Sequence, residues 1–200
     1  MADWQELRSW SRRVAGLELP DAALDQLRRY VDLLTIWNRK VSLVASAKPS
    51  VVLVKHVADS LFAAAHCRDA GAVMDLGSGA GFPGLVVALI SPSTRVTLIE
   101  ARGKKVSFLE EVCRVLALGN AEPIHGRIEA VAGEERHCGA YDLVTSRALA
   151  DVDALRDFAA PFLRPGGRLL AMRSAGAAIP TGAERIEYCL LYTSDAADEL

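Results

Sequence analysis

Polar and apolar positions follow two different rhythms along the chain, and the change between them falls near Gly71. After Pro20-Asp21, apolar residues recur as Leu24, Leu27, Val31, Leu34 and Trp37. Steps of three and four put them on one face of a helix, with Asp21 placed to cap its start. A shorter helix is predicted over Trp4–Val14, stopping near Gly16. Another follows Pro49-Ser50, with Leu53 or Val54, Val57, Leu61 and Ala64 facing inward. The stretch Asn38–Ser46 carries no period and reads as irregular.

Beyond Gly71, short apolar runs alternate with helical stretches. Strands are predicted at Val73–Leu76, Arg95–Glu100, Ala121–Ile124, Asp142–Ser146 and Gly167–Arg173. Helices fall near Gly84–Ile90, Lys104–Leu118, Ile128–Ala132 and Val152–Phe162, and Pro165-Gly166-Gly167 reads as a turn into the last strand. Repeated strand–helix–strand units specify an α/β fold with a parallel sheet covered on both faces. The organisation predicted is a helical extension over residues 1–70, packed on a Rossmann-like domain over residues 71–200.

Composition narrows the function classes. Of 200 residues, 51% are apolar and 24% charged, which excludes wholesale disorder and supplies one domain's core. The 23 basic and 25 acidic residues exclude a uniformly basic nucleic-acid surface. The balance is uneven, however: residues 1–70 hold ten basic against eight acidic groups, and residues 151–200 hold five against eight. Arg8, Arg12, Arg13, Arg28, Arg29, Arg39 and Lys40 are therefore candidates for a basic face. Cys67, Cys113, Cys138 and Cys189 form no C-x-x-C pair, which argues against a zinc ribbon and fits buried thiols in a reducing compartment. The amino terminus lacks the apolar core of a secretory signal, and the longest apolar run, Leu85–Ile90, is far short of the ~20 residues of a membrane span. A soluble, cytoplasmic protein without a membrane partner is expected.

The candidate chemistry sits at the first strand end, in Asp75-Leu76-Gly77-Ser78-Gly79-Ala80-Gly81. Glycines there let the backbone turn sharply and approach a ligand. Gly79, Gly81 and Gly84 also spell G-x-G-x-x-G, so a dinucleotide site competes with an S-adenosyl site. A carboxylate at Asp75 opposes a pyrophosphate but suits the ammonium and sulfonium of S-adenosylmethionine, which favours the latter. Glu100, at the second strand tip, suits two ribose hydroxyls in either case. Arg147 follows the fourth strand, where a guanidinium fork fits a phosphate, a guanine edge or a cofactor carboxylate. His56 and Asp59, three apart, share a helix face as either a site cluster or a structural tie. Lys104 and Lys105 open a helix, where the macrodipole disfavours cations by about 0.3–1 kcal/mol each.

These residues together resemble the bacterial 16S ribosomal RNA (guanine-N7)-methyltransferase family, also called glucose-inhibited division protein B. The resemblance runs from about Trp37 to about Met172. It is carried by Trp37-Asn38, His56-Val57-Ala58-Asp59-Ser60-Leu61, the glycine loop continued through Phe82-Pro83-Gly84, Gly103-Lys104-Lys105-Val106-Ser107-Phe108-Leu109, Gly126-Arg127-Ile128-Glu129 and Ser146-Arg147-Ala148. It implies a class I methyltransferase fold using S-adenosylmethionine to methylate guanine N7 in 16S ribosomal RNA or the small subunit, as a monomer. Gly77, Gly79 and Gly81 would cradle the methionine part with Phe82 beside it. Glu100 would take the ribose, Ile128 and Glu129 the adenine, and Arg147 the cofactor carboxylate, with Asp75 closing the loop. No catalytic acid or base and no metal is implied. Another methyl acceptor, an NAD-dependent oxidoreductase and a non-catalytic RNA-binding module are the alternatives. The family continues through a helix into two antiparallel strands. Here Arg173-Ser174 and a helical stretch near Gly182–Tyr188 lead only to Cys189–Thr193, so that end is expected to be incomplete and its last dozen residues atypical.

Overall fold

The computed structural model describes residues 3–147, 149, 151–173, 184 and 186. Helix α1 (Trp4–Trp10) starts at an Asp3 cap whose carboxylate accepts from the amides of Gln5 and Glu6. It widens into a π-turn over Ser11–Ala15 and stops at Gly16 in the left-handed region. Helix α2 (Asp21–Asn38) buries Leu24, Leu27, Val31 and Leu34 as the spacing predicts, and Tyr30 with them. Its cap differs from expectation: Pro20 is the extended residue, and Asp21 lies inside the first turn, paired with Arg8.

The helix after Pro49 is three pieces: α3 (Pro49–Val52), a π-helical stretch over Leu53–Ala58, and α4 (Asp59–His66). Its expected inner face, Val54, Val57, Leu61 and Ala64, is buried.

The remaining elements are β1 (Ala72–Leu76), α5 (Gly84–Ile90), β2 (Arg95–Glu100), α6 (Gly103–Leu116), β3 (Ala121–His125), α7 (Ile128–Ala132), β4 (Tyr141–Arg147), α8 (Val152–Ala159) and β5 (Leu163–Met172). Among the described residues the five strands form one parallel sheet in the order β3-β2-β1-β4-β5. The order reverses beside β1, and such a switch point opens a crevice beyond the carboxyl ends of the strands. Asp75, Glu100 and Arg147 stand at those ends.

Alternation along each strand builds two cores. Val73, Val96, Leu98 and Leu143 face one cluster, which also contains Leu7, Trp10, Leu24, Leu27, Tyr30 and Leu61 from the helical extension. Met74, Leu76, Ile99 and Val144 face the other, with Tyr141 and Phe162. The amino-terminal helices thus share their apolar interior with the sheet. The Pro165-Gly166-Gly167 turn lies inside β5 rather than before it. Tyr141 pairs with Leu163 and Leu143 with Arg168, so the intervening residues bulge, with Gly166 at φ +78.

Cys67 is buried and burial pushes its thiol up to about 12, whereas Cys138 is exposed. The carboxyl-terminal helix and strand expected from the sequence, Cys189, and Ala148 of the arginine motif lie outside the described residues.

Candidate functional site

The glycine loop is a backbone shape held from below. Ser78 donates its amide to the Ile99 carbonyl at 2.9 Å and its hydroxyl to the Asp75 carbonyl at 3.0 Å. Gly77 lies at φ +69, and a Cβ there would come within 2.8 Å of Leu149 Cδ1. Gly81, at φ +92, permits still closer approach: a Cβ would meet Leu85 at 2.3 Å and the Tyr30 hydroxyl at 2.9 Å. That hydroxyl donates to the Ala80 carbonyl, so α2 fastens the loop from the helical extension. Tyr30 was not anticipated from sequence as a site-supporting residue. The available signal is a hydroxyl-bearing side chain three positions after Leu27 on an otherwise apolar stripe.

Asp75 is 1% exposed and its carboxyl turns beneath the loop. Oδ1 accepts from the Thr145 hydroxyl at 2.9 Å and Oδ2 from the Gly84 amide at 3.2 Å. The acid therefore braces the loop onto β4 and α5. Burial pushes its pKa up to about 6, against the opposing effect of these hydrogen bonds. Glu100 is 7% exposed and aimed upward: Oε2 accepts from the Gly79 amide at 2.9 Å and Oε1 from the Arg102 amide at 2.8 Å. Each oxygen keeps a lone pair for a ligand hydroxyl.

Above the strand ends lies a cavity of about 630 Å³, within the range of cofactor sites. Of the candidates drawn from sequence, Gly77, Gly79, Phe82, Glu100, Ile128, Glu129 and Arg147 line it. Asp75 and Gly81 are not on its wall; they shape the loop that is. Leu43, His56, Lys105, Leu149 and Phe158 line it as well.

Arg147 crosses from the end of β4 to the π-helical stretch. Its Nη2 donates to the Lys55 carbonyl at 2.8 Å and to His56 Nδ1 at 2.7 Å, and stands 3.8 Å from Asp59 Oδ2. Its Nη1 is buried and has no hydrogen-bond partner among the described residues. The His56 ring stacks on Phe82, with centroids 5.1 Å apart and planes at 22°. A guanidinium donating to Nδ1 places the imidazole proton on Nε2. Burial, and then Arg147, push the His56 pKa down to about 4. His56 and Asp59 thus belong to one cluster with Arg147, and the π-turn that carries His56 is the local irregularity that brings it to the cavity.

Of the seven cations expected to form a basic face on the helical extension, three are paired: Arg8 with Asp21, Arg12 with Glu18 and Arg28 with Asp25. Arg29 donates to the Val115 carbonyl at 2.8 Å, joining α2 to α6.

Two opposed titrations follow from these surroundings. Asp75 binds its proton more tightly folded than unfolded, so its contribution to stability is full below 3.8 and lost as pH rises through about 6. His56 binds its proton less tightly folded, so its contribution is full above 6.5 and lost as pH falls through about 4. Their slopes offset one another. Asp75→Asn is expected to leave a stability that rises with pH across this window, and His56→Gln one that falls. Denaturant titrations from about pH 4 to about pH 7 measure both; profiles parallel to the parent's would contradict the assignment.

Comparison with known proteins adds a family to this geometry. Residues 23–196 match the family model for rRNA small subunit methyltransferase G. The chain is 35% identical to the ribosomal RNA small subunit methyltransferase G of Alkaliphilus oremlandii over 79% of its own length and 67% of the relative's. It is 41% identical to that of Chloroflexus aggregans over 78% of its length and 66% of the relative's. The chain therefore spans about two thirds of the length of these curated relatives. Among solved structures, an SAH-bound methyltransferase of Podospora anserina superposes with a TM-score of 0.54 at 13% identity, covering 84% of this chain and 68% of that one. At that identity the likeness shows the methyltransferase fold.

Proposed function

The chain belongs to the rRNA small subunit methyltransferase G family, and from that premise we propose that it transfers a methyl group from S-adenosylmethionine to N7 of a guanine in 16S ribosomal RNA. The observation that carries the cofactor half is Arg147, which lines a cavity floored by positive-φ glycines and whose buried Nη1 has no hydrogen-bond partner among the described residues. An orphaned guanidinium nitrogen in such a place calls for an anion, and a buried donor left unmade costs about 1–3 kcal/mol or more. The methionyl carboxylate of the cofactor supplies that anion. The Gly77 and Gly79 backbone would border the methionine part, Glu100 would take the ribose hydroxyls, and Ile128 and Glu129 would flank the adenine. Phe82, held by the His56 stack, packs beside them. Asp75 and Gly81 act through the loop's shape.

S-adenosylmethionine supplies the electrophilic sulfonium methyl. Guanine N7 carries an in-plane lone pair and no proton, so this chain needs no general base. Its residues would do the work of orientation, the cavity wall holding the acceptor base in line with the methyl group that the cofactor would supply. The neutral His56 ring adds no positive charge beside the sulfonium. The protein works as a monomer in the cytoplasm, where assembling ribosomal subunits present the substrate; the free thiols of Cys67, Cys113 and Cys138 fit that compartment. The experiment is methyl transfer from labelled S-adenosylmethionine to 16S ribosomal RNA from cells lacking this methyltransferase. Label enters that RNA and fails to enter RNA already carrying the modification.

A further inference from the structure

A second concavity adjoins the first. It has a volume of about 360 Å³, lies between the end of α2 and the start of α6, and is lined by Lys40, Val41, Ser42, Arg102, Gly103, Lys104 and Lys105. Four of its residues are cations and none is an acid. Elsewhere in the described residues some cations are paired and others, Arg13 and Arg39 among them, are not; what marks this cleft is that four cations line it together. Arg8, Arg12, Arg28, Arg114, Arg136 and Arg164 each sit against a carboxylate. Among the described residues no ion pair is made by Lys40, Arg102, Lys104 or Lys105. Repulsion among clustered cations costs stability, and Lys104 and Lys105 bear it in the first turn of α6, where the helix dipole already disfavours them. That turn has no acidic residue, and its cap, Arg102, makes no side-chain cap hydrogen bond. The charge is therefore left for something outside the chain.

Position narrows what that is. Arg102 and Lys105 line this cleft and the cofactor cavity alike. The Lys105 ammonium reaches within 3.9 Å of the point where a Gly79 Cβ would stand. Whatever fills the cleft is continuous with whatever enters the cavity. We propose that the cleft seats backbone phosphates of the RNA strand next to the target nucleotide, with Lys40 and Lys104 as outer contacts and Arg102 and Lys105 bridging to the cavity mouth. This deepens the RNA-methyltransferase reading and rests on it. The cleft reads backbone rather than sequence: it fixes the strand's register, while the base is chosen elsewhere.

The test compares Lys40→Gln/Lys104→Gln with Arg13→Gln/Arg156→Gln, a pair of equal charge change outside the cleft. The probe is a fluorescent polyuridylate oligonucleotide, followed by anisotropy over a range of salt. Losing two phosphate contacts is expected to weaken binding roughly tenfold or more at about 0.1 M salt and to flatten the log–log salt slope by about 1.4–2. The control pair should keep the parent's slope. S-adenosylhomocysteine affinity, measured by calorimetry, should stay within about twofold of the parent's in both pairs, because neither Lys40 nor Lys104 lines the cofactor cavity. A slope unchanged in the Lys40/Lys104 variant, or equally reduced in the control, overturns the cleft while leaving methyl transfer intact. Competition by polyglutamate as effective as by unlabelled oligonucleotide also overturns it, in favour of an acidic protein. A parent that methylates no ribosomal RNA but shows the expected slope change supports the cleft and removes the substrate assignment. A parent that binds no RNA overturns both.

Discussion

Gly84→Ala is expected to lower the melting temperature by roughly 5–12 °C. Gly84 opens α5 directly over β1 and β2. A Cβ there would lie 2.3 Å from Leu98 Cδ2, 2.7 Å from Asp75 Oδ2 and 2.9 Å from Asp75 Cβ. Leu98 is 0% and Asp75 1% exposed, so neither has room to yield. The helix must lift instead, straining the Gly84 amide bond to Asp75 and with it the brace under the glycine loop. Overpacking of this kind costs about 1–3 kcal/mol, and disturbing a hydrogen bond to a buried carboxyl adds to it. At about 2–4 °C per kcal/mol for a chain of this size, a combined cost of about 2.5–3 kcal/mol gives the interval above. Gly119 is the matched control, because nothing lies within 4 Å of a Cβ there. Gly119→Ala should melt within a few degrees of the parent, or slightly higher through lost unfolded-state freedom of about 0.4–1 kcal/mol. Equal melting temperatures for the two variants would show that α5 does not rest on β1 and β2 as described.

The second large effect is on binding. Arg147→Met keeps the bulk of the stem and removes the fork. It is expected to weaken S-adenosylhomocysteine binding about 100-fold, equivalent to about 2.7 kcal/mol and within the range for one partner of a buried charge pair. Arg147→Lys retains a charge without the two-nitrogen geometry that spans Lys55, His56 and the cavity, and should fall between the parent and Arg147→Met. A spectroscopic signature separates this from general damage. Arg147 is the second cause of the low His56 pKa, after burial, so the ring should titrate above about 4 once the guanidinium is gone. Histidine proton resonances followed over pH read that shift. Undiminished affinity in Arg147→Met would place the cofactor's carboxylate elsewhere.

Local information sufficed wherever a single element decided the outcome. The runs Arg95–Glu100, Gly84–Ile90 and Ile128–Ala132 appear with the bounds their patterns predict, because each is a continuous apolar or capped segment between clear breakers. The cavity wall was legible for the same reason, since strand ends carry the glycines, Glu100 and Arg147. What sequence missed is non-local. Asp75 looked like a ligand contact because it precedes the loop in the chain. Its carboxyl is claimed by Thr145, seventy residues on, and by Gly84. Tyr30 reads as an ordinary helix residue, and His56 as either site or tie, until the helical extension folds back onto Ala80, Phe82 and Arg147. The ion pairs within the basic set differ in the same way: Asp25 lies three residues before Arg28, a spacing visible in the sequence, whereas the Arg8–Asp21 pair needs the chain to turn between two helices.

The central claim is that this cavity delivers a methyl group to guanine N7 of small-subunit ribosomal RNA. Mass mapping of nucleosides tests it most directly, after incubation of the protein with S-adenosylmethionine and 16S ribosomal RNA or small subunits from cells lacking the modification. The account predicts N7-methylguanosine at one position, absent when S-adenosylmethionine is omitted and strongly reduced with Arg147→Met. Methyl groups on another atom or base, or RNA left unmodified while S-adenosylhomocysteine binds the cavity, would contradict it.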